Sequence, residues 1–222
     1  MNKARGRLYE IFIIILTGLV VSCALLSQNN SIWTLRPAYG FSVFEDNTFY
    51  FDPETHVLAK GEMEIDGDWY LFNQTDGAMY IGFYEDEDHV GTVYYYDDNG
   101  KKAFGQRRID GAWYMFDLAT GKMVTGFFNH TQDTNPGGGV KTCYYDDDGR
   151  MVYGQKHIDG NWYYFSPDSG AMYTGFKFFE FQDKTVYYDE SGQMVYGEKD
   201  INGFHYTFAE GTGALISKVR IE

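Results

Sequence analysis

The chain has 222 residues, of which 19% are aromatic and 26 are glycine, and its 32 acidic residues against 18 Lys and Arg give a net charge of −14. The aromatic content excludes a disordered chain, and frequent Gly within short polar clusters favours short strands joined by turns over a helical bundle. The acidic charge argues against nucleic acid as a partner, because phosphate binding needs a basic surface. A neutral polymer or a ligand that carries a cation is compatible with this charge, which also helps to keep an aromatic-rich surface soluble.

The N-terminal residues have the pattern of an export signal. Three basic residues precede an apolar run at residues 11–26, which is shorter than the roughly 20 residues that a membrane span needs. The sequence VVSC, which ends at Cys23, resembles a bacterial lipobox. Three alternatives stay open, namely lipidation at Cys23, cleavage just beyond the apolar run, and an uncleaved membrane anchor. We interpret residues 1–26 as this signal or anchor and residues 27–42 as a linker.

A repeated pattern covers most of the remaining chain. The long unit, for example IDGNWYYFSPDSGAMYTGF, occurs four times, the last time in degenerate form. The long units lie at residues 65–83, 109–127, 158–176 and 201–219. A shorter unit such as CYYDDDGRMVYGQ alternates with the long one. The short units lie at residues 49–62, 93–106, 143–155 and 186–198. Such alternation at a nearly fixed spacing indicates a repeat architecture.

Each unit is interpreted as one β-hairpin. The aromatic run forms the first strand, a polar cluster such as SPDSG or DDDG forms the turn, and AMYTGF or RMVYG forms the return strand. The last Gly of each turn, such as Gly121 or Gly149, is expected to take a positive φ. Because an isolated hairpin is only marginally stable, the hairpins must stack on one another. The predicted fold class is all-β, an elongated solenoid of about eight stacked β-hairpins over residues 43–219. An N-terminal signal or anchor helix precedes it, and a tail at residues 220–222 follows it.

Side-chain alternation along the aromatic run separates a constant face from a variable one. The constant face carries the pairs Tyr70 and Phe72, Tyr114 and Phe116, Tyr163 and Phe165, and Tyr206 and Phe208. The variable face begins with Trp69, Trp113 or Trp162 in three of the units. We predict that the Tyr–Phe face packs the core and that the Trp face looks toward a groove between successive hairpins.

The remaining candidates for chemistry have structural interpretations. Cys143 lies where other short units have Val93 and Val186, so we expect a small buried hydrophobic residue there. The five His are scattered and no catalytic motif is assembled, so the sequence predicts no enzyme activity. Paired carboxylates such as Asp97 and Asp98 lie at the turns, where Asp caps the backbone, so neither a metal nor a cofactor is predicted.

The sequence GNWYYFSPDSGAMYTGF carries a pattern that is known from surface proteins. It closely resembles the choline-binding and glucan-binding repeats, also called cell-wall-binding repeats, of Gram-positive bacteria. The shared elements are G-x-W-Y-Y-F, a polar turn, G-x-M, and T-G followed by an aromatic residue. The resemblance covers essentially residues 43–219. It implies a hairpin solenoid, an extracellular place at the cell surface or cell wall, and non-catalytic attachment to envelope polymer or extracellular polysaccharide.

The resemblance also implies where a ligand would bind. Choline sites of this family are aromatic boxes between adjacent hairpins, completed by Met. The corresponding residues are Trp69, Phe83, Trp113, Phe127, Trp162, Tyr164, Phe176, Met79, Met123 and Met172. The closing aromatic is Phe where choline-type repeats usually have Trp, and Phe is the weaker cation–π partner. Sugar rings stack on any aromatic plane, so this departure favours glucan. Packing within the fold is the alternative for each of these residues.

Three functions stay open at this point. The first is a binding module on envelope polymer or extracellular glucan, in which weak stacking contacts gain avidity by repetition. The second is recognition of choline on teichoic acids, which the acidic surface would favour. The third is a structural solenoid that docks another exported protein. Membrane attachment is expected only through the N-terminus.

Overall fold

The computed structural model describes residues 39–44, 46–134 and 139–221, together with the backbone of four short strands nearer the N-terminus. Strand β1 (Ile15–Leu16) pairs with β2 (Leu19–Val20), and β3 (Ala24–Leu26) pairs with β4 (Ile32–Thr34), both antiparallel. Cys23 and the basic residues of the predicted export signal lie outside the described residues. The predicted signal or anchor helix also lies mostly outside them, and what is described of this segment is strand rather than helix. In the described part of the chain, no helix has the length and apolar character needed to cross a membrane.

Eight antiparallel hairpins follow, which we number 1–8 in chain order. Their strand pairs are β5 (Gly40–Phe44) with β6 (Asn47–Phe51), β7 (Gly61–Ile65) with β8 (Asp68–Phe72), β9 (Gly82–Glu85) with β10 (Val93–Tyr96), β11 (Gly105–Ile109) with β12 (Ala112–Phe116), β13 (Gly126–His130) with β14 (Lys141–Tyr145), β15 (Gly154–Ile158) with β16 (Asn161–Phe165), β17 (Gly175–Phe179) with β18 (Lys184–Tyr188), and β19 (Gly197–Ile201) with β20 (Phe204–Phe208). In hairpin 8, β21 (Leu215–Arg220) adds a third strand beside β20, and a 3-10 turn at Glu180–Gln182 lies at the tip of hairpin 7.

The hairpins are divided between two compact units. The first unit ends at Ala103 and contains hairpins 1–3, and the second begins at Phe104 and contains hairpins 4–8. Within each unit, buried side chains of one hairpin pack against those of the next. The predicted all-β fold of about eight stacked hairpins is therefore confirmed.

The phase of the hairpins differs from the prediction. The aromatic run is the second strand of its hairpin, not the first, and it pairs with the Gly-led strand before it. The turn is a two-residue pair in which both residues have positive φ, for example 48° at Asp159 and 84° at Gly160. This type I′ geometry matches the right-handed twist of the two strands, which the Asx-Gly pair permits. The same turn occurs at Asp66–Gly67, Asp110–Gly111 and Asn202–Gly203.

The polar clusters that were expected to be hairpin turns connect successive hairpins instead. In one such loop, Asp117 accepts hydrogen bonds from the backbone N–H groups of Ala119 at 3.1 Å and Thr120 at 2.8 Å. Hydrogen bonds from the hydroxyl and amide of Thr120 hold the pKa of Asp117 below its usual value. After the loop, Met123 forms an isolated bridge back to Phe116. The cluster thus reverses the chain so that the next hairpin can begin.

The constant face of the aromatic run forms the core, as predicted. All four Tyr–Phe pairs are buried, and each Phe is at most 1% exposed. Cys143 is also fully buried, which raises the pKa of its thiol and confirms its expected packing role. Its predicted counterpart in hairpin 3 was wrong, however. Cys143 lies opposite Phe128 and Tyr94 lies opposite Tyr84, so Tyr94 rather than Val93 takes its place, because the aromatic run of hairpin 3 has one more Tyr.

Candidate functional site

Successive hairpins meet through alternate faces, which creates two kinds of junction. In a Trp junction, an even-numbered hairpin turns its Trp side toward the next hairpin. Trp junctions join hairpins 2 and 3, 4 and 5, and 6 and 7. In a Phe junction, an odd-numbered hairpin turns the Phe of its first strand toward the next hairpin. Phe junctions within one unit join hairpins 1 and 2, 5 and 6, and 7 and 8.

The structure therefore separates residues that the sequence placed in one groove. The Phe that closes each long unit belongs to the first strand of the following hairpin, as Phe127 does in β13. It consequently lies one junction away from the Trp of its own unit. This separation follows directly from the shifted phase of the hairpins.

The three Trp residues occupy equivalent and partly open positions. Trp69, Trp113 and Trp162 are 38%, 37% and 39% exposed, respectively. The backbone carbonyl of each Trp accepts a 2.8 Å hydrogen bond from a backbone N–H group in the loop that follows the next hairpin. The donors are the amides of Lys102, Met151 and Met194. The strand that carries each indole is thus held by its partner strand in the hairpin and by this hydrogen bond from the later loop. The predicted outward orientation of the indoles is confirmed by their exposure.

Trp113 is bordered by two open clefts in the second unit. The first cleft has a volume of about 490 Å³ and the second a volume of about 400 Å³. Trp113 and Gln106 line both clefts. Met151 and Tyr153 complete the apolar part of the first cleft. An aromatic plane beside amide and hydroxyl groups is the arrangement that small polar ligands use.

The third residue of the variable face is part of the junction interior rather than of its rim. Met115 is fully buried against Cys143 and Tyr145. Tyr164 is half-buried, with its ring centroid 5.5 Å from Phe179 in an edge-to-face contact. Met115 and Tyr164 therefore pack against the next hairpin, and both are less exposed than the Trp two residues before them.

Polar side chains cross the Trp junctions toward buried Tyr hydroxyls. Gln155 donates a 3.1 Å hydrogen bond to Tyr188, and Tyr96 lies 3.4 Å from the Glu62 carboxylate. Burial raises the pKa of Tyr188 to about 12, and it also raises the pKa of Tyr96. The hydroxyls therefore remain protonated at neutral pH and can serve as hydrogen-bond donors.

Lysine ammonium groups already occupy aromatic faces at two of the Trp junctions. The Lys102 Nζ atom lies 4.0 Å from the Tyr94 ring centroid and 2.6 Å from a carboxylate oxygen of Glu62. Its side chain is only 7% exposed. The Lys177 Nζ atom lies 4.9 Å from the Tyr164 ring centroid. At these places a cation of the protein itself makes the cation–π contact that a ligand cation would need.

The Phe junctions have a different aromatic arrangement. The ring centroid of Phe127 lies 4.9 Å from Tyr144 of the same hairpin and 5.0 Å from Tyr163 of the next one. Corresponding trios are Phe41 with Tyr50 and Tyr70, and Phe176 with Tyr187 and Tyr206. In hairpin 3, Phe83 lies 4.8 Å from Tyr95. The Phe rings are 37–47% exposed, so each trio has an open side.

The Met candidates pack beneath loops. A Cβ added at Gly149 would lie 2.9 Å from Cγ of Met123, and the same close approach joins Met172 to Gly192. The other pairs of this kind are Met79 with Gly100, Met151 with Gly170, and Met194 with Gly213. Gly121 and Gly149 have φ of 73° and 78°, which confirms their predicted conformation. The loop Gly is therefore needed both for its backbone and for the space that Met fills.

Several residues of the junctions were missed by sequence reasoning. Gln106, Tyr144 and Tyr163 were assigned no ligand role, although each borders an exposed ring. The signal for Tyr144 was its place directly opposite Phe127 in the strand register, which the wrong phase concealed. In the described part of the chain, no group of three His, Cys, Asp or Glu side chains is arranged to hold a metal ion.

Comparison with protein families gives an independent assignment of the repeat. Residues 139–176, which include all of hairpin 6, match the family model described as a choline-binding repeat. This segment is therefore similar to a choline-binding repeat. No curated protein sequence matches the chain.

Solved structures extend the similarity to most of the described chain. Choline-binding protein F from Streptococcus pneumoniae is 27% identical with a TM-score of 0.64, and the match covers 84% of this chain and 60% of that protein. CbpJ from the same organism is 23% identical with a TM-score of 0.67, covering 91% of this chain and 73% of CbpJ. The choline-binding domain of CbpL is 22% identical with a TM-score of 0.53, covering 80% and 86%. The last two support the fold alone. The chain spans less than two thirds of the length of choline-binding protein F.

Proposed function

We propose that the chain is a non-catalytic cell-surface binding module that attaches to cell-envelope polymer or extracellular glucan. The observation that carries this proposal is the repeated exposure of one indole at each Trp junction. Trp69, Trp113 and Trp162 hold the same strand position while the opposite face of each strand is buried. Rings on a rigid scaffold offer stacking surface at little cost in conformational entropy.

Attachment rests on repetition of weak contacts. Each junction offers one shallow aromatic surface, and one such contact alone gives a modest affinity. A polymer that engages two or three junctions gains from the high effective concentration of the second and third sites. A long chain of similar residues, such as a wall polysaccharide or a glucan, is the partner that suits this arrangement.

The place of action that we propose is outside the cell. The leader-like residues 1–26 support export, and the acidic charge of the chain is compatible with a neutral or cation-bearing polymer. Lipidation at Cys23 would tether the module to a membrane through its N-terminus. The match to a choline-binding repeat and the 27% identity to choline-binding protein F support the same assignment.

A second candidate function is recognition of choline on teichoic acids. The Phe junctions favour it, because each brings three rings together, as Phe127 does with Tyr144 and Tyr163. A quaternary ammonium held there would gain roughly 0.5–2 kcal/mol from each favourable cation–π contact. The junction is open on one side, where the Phe127 ring is 45% exposed.

Cosedimentation distinguishes these functions. The purified chain is mixed with purified Gram-positive cell walls and with insoluble glucan, with and without free choline. Polymer binding predicts that the chain pellets with at least one matrix and that choline does not release it. Release by millimolar choline would assign the choline function instead. A chain that stays in the supernatant with both matrices would contradict the proposal and favour a protein-docking solenoid.

A further inference from the structure

The geometry points to two adjoining subsites for a neutral oligosaccharide, one on each side of the Trp113 indole. Hairpins 4 and 5 would then hold at least two consecutive sugar residues of one polymer chain. This inference rests on the proposed function, and it specifies the chemical class of the ligand and the way in which that ligand is placed.

The two clefts have the size and the arrangement that such a ligand needs. Their volumes are about 490 and 400 Å³, and both clefts are open to solvent, as a site for a long polymer must be. They share Trp113 and Gln106 as a common wall. Tyr153 borders only the first cleft and Leu118 only the second. A linear chain that crosses this wall would place one residue in each cleft.

The Trp113 indole is available as a stacking surface. It is 37% exposed, and among the described residues it makes no ring contact with another aromatic side chain. By contrast, the Trp162 ring has His157 at a centroid distance of 5.2 Å. The hydrogen bond from Met151 N–H to the Trp113 carbonyl holds the strand in place. The ring is therefore positioned before any ligand arrives.

The charges of the clefts favour a ligand without net charge. The first cleft contains Lys141 and Asp168, and the second contains Arg107 and Asp133. Each cleft thus pairs one cationic with one anionic side chain, so neither attracts a simple cation or anion strongly. The Lys141 ammonium is held at the rim by a 2.7 Å hydrogen bond to the carbonyl of Ser169.

The hydrogen-bonding groups of the shared wall also suit sugar hydroxyls. The Gln106 amide donates one N–H to the Tyr145 hydroxyl, as the equivalent Gln155 does to Tyr188. Its second N–H donor and its carbonyl acceptor remain for a sugar hydroxyl, which can pair with either kind. A quaternary ammonium has no N–H or O–H group, so it could use the indole but not the amide. The combination of amide and indole therefore selects a hydroxyl-rich ring over a methylated cation.

The test uses the full chain and follows the indole N–H signals of its Trp residues by NMR. One ligand series consists of glucose, isomaltose and isomaltotetraose. The second consists of N-acetylglucosamine, chitobiose and chitotetraose. The Trp113 signal is assigned with Trp113→His, since His205 holds the equivalent position in hairpin 8. Choline chloride serves as the cationic probe.

We expect the Trp113 signal to shift with at least one series, and the affinity to rise about tenfold from the monosaccharide to the longer members as both clefts fill. Trp113→Ala should weaken binding of the longer members about tenfold or more. Leu118→Ala should weaken the binding of the longer members only, because Leu118 lines the second cleft and not the first. The matched control, Phe181→Ala, removes an exposed ring that lines neither cleft and should leave the response of Trp113 unchanged.

Each alternative result has a defined meaning. Affinities that do not depend on length, a response to choline but to neither sugar series, or no response at all would overturn the two-subsite inference. Cosedimentation of the chain with a matrix would still stand in those cases, and it would support the broader proposal by itself. Conversely, a length-dependent response of Trp113 in a chain that pellets with neither matrix would support the subsites and refute the attachment function.

Discussion

Replacing Gly149 by Ala tests whether Met123 is a packing residue or a ligand residue. Gly149 has a φ of 78°, and an added Cβ would lie 2.9 Å from Cγ of Met123. Gly160 is a matched control, because its φ is 84° and an added Cβ would meet nothing within 4 Å. Both variants strain the backbone, but only Gly149→Ala also displaces a side chain.

The expected magnitudes follow from this difference. A left-handed conformation costs an L-residue roughly 1–2 kcal/mol, which is the whole effect expected for Gly160→Ala. Burial of a Met side chain stabilises by roughly 1.5–3 kcal/mol, so displacing the half-buried Met123 should cost about 1 kcal/mol more. Gly149→Ala should therefore lower the free energy of unfolding by about 2–3 kcal/mol.

Guanidinium unfolding of the two variants measures this difference, and a double-mutant cycle with Met123→Ala isolates the contact. In the Met123→Ala background, the costs of Gly149→Ala and Gly160→Ala should become equal, with a coupling free energy of about 1 kcal/mol. Equal costs in the wild-type background, together with no coupling, would refute the packing role. Met123 would then again be a candidate for ligand contact.

Four further predictions concern stability. Phe165→Ala should lower the free energy of unfolding by about 3–5 kcal/mol, since the ring is fully buried, and an unchanged guanidinium midpoint would contradict its core position. Lys102→Met should change the free energy of unfolding by less than about 1 kcal/mol. Glu62→Ala should cost more than that, because it leaves the nearly buried Lys102 ammonium unpaired. The reverse order of the two variants in guanidinium unfolding would argue against the ion pair. Burial lowers the pKa of His130, so the fold should lose stability as the pH falls below about 6.5, where the unfolded His takes up a proton. The variant His130→Gln should therefore show a weaker dependence of Tm on pH between pH 8 and 5.5. A variant whose Tm is as pH-sensitive as that of the wild type would contradict this. Burial raises the pKa of Tyr188 to about 12, so its contribution to the stability of the fold is complete below pH 10 and is lost between pH 10 and 12. Tyr188→Phe should therefore reduce the fall in Tm at alkaline pH. An unchanged fall would contradict this role of Tyr188.

The fold could be predicted from the sequence to the extent that it depends on local periodicity. Alternation along the aromatic run correctly separated buried Tyr163 and Phe165 from exposed Trp162. The number of hairpins followed from the number of repeat units. Both inferences need only the repeat and the two-residue period of a strand.

The phase of the hairpins was not obtained because the sequence offers two turn signals in every long unit. The cluster SPDSG is longer and more polar, but the pair Asp159–Gly160 forms the tight turn, since both of its residues take positive φ. A two-residue Asp-Gly signal is the stronger one for a hairpin, and giving it precedence would have placed the strands correctly.

The composition of the candidate site depended on that phase. Once the phase is wrong, Phe127 is assigned to the hairpin of Trp113, although it lies in the next hairpin against Tyr144 and Tyr163. The contact of Met123 with Gly149 joins loops of different repeat units, and no local pattern reveals such a contact. The exposure of the indoles was predictable, while their partners required the stacking of whole hairpins.

The most direct test of attachment through exposed indoles is the binding isotherm of a triple variant on the matrix that retains the wild-type chain. Replacement of Trp69, Trp113 and Trp162 by Ala removes all three platforms and leaves the buried Tyr–Phe face intact. With an unchanged far-UV circular dichroism spectrum, the variant should bind at least about tenfold more weakly than the wild type. Wild-type affinity in a folded triple variant would contradict the account.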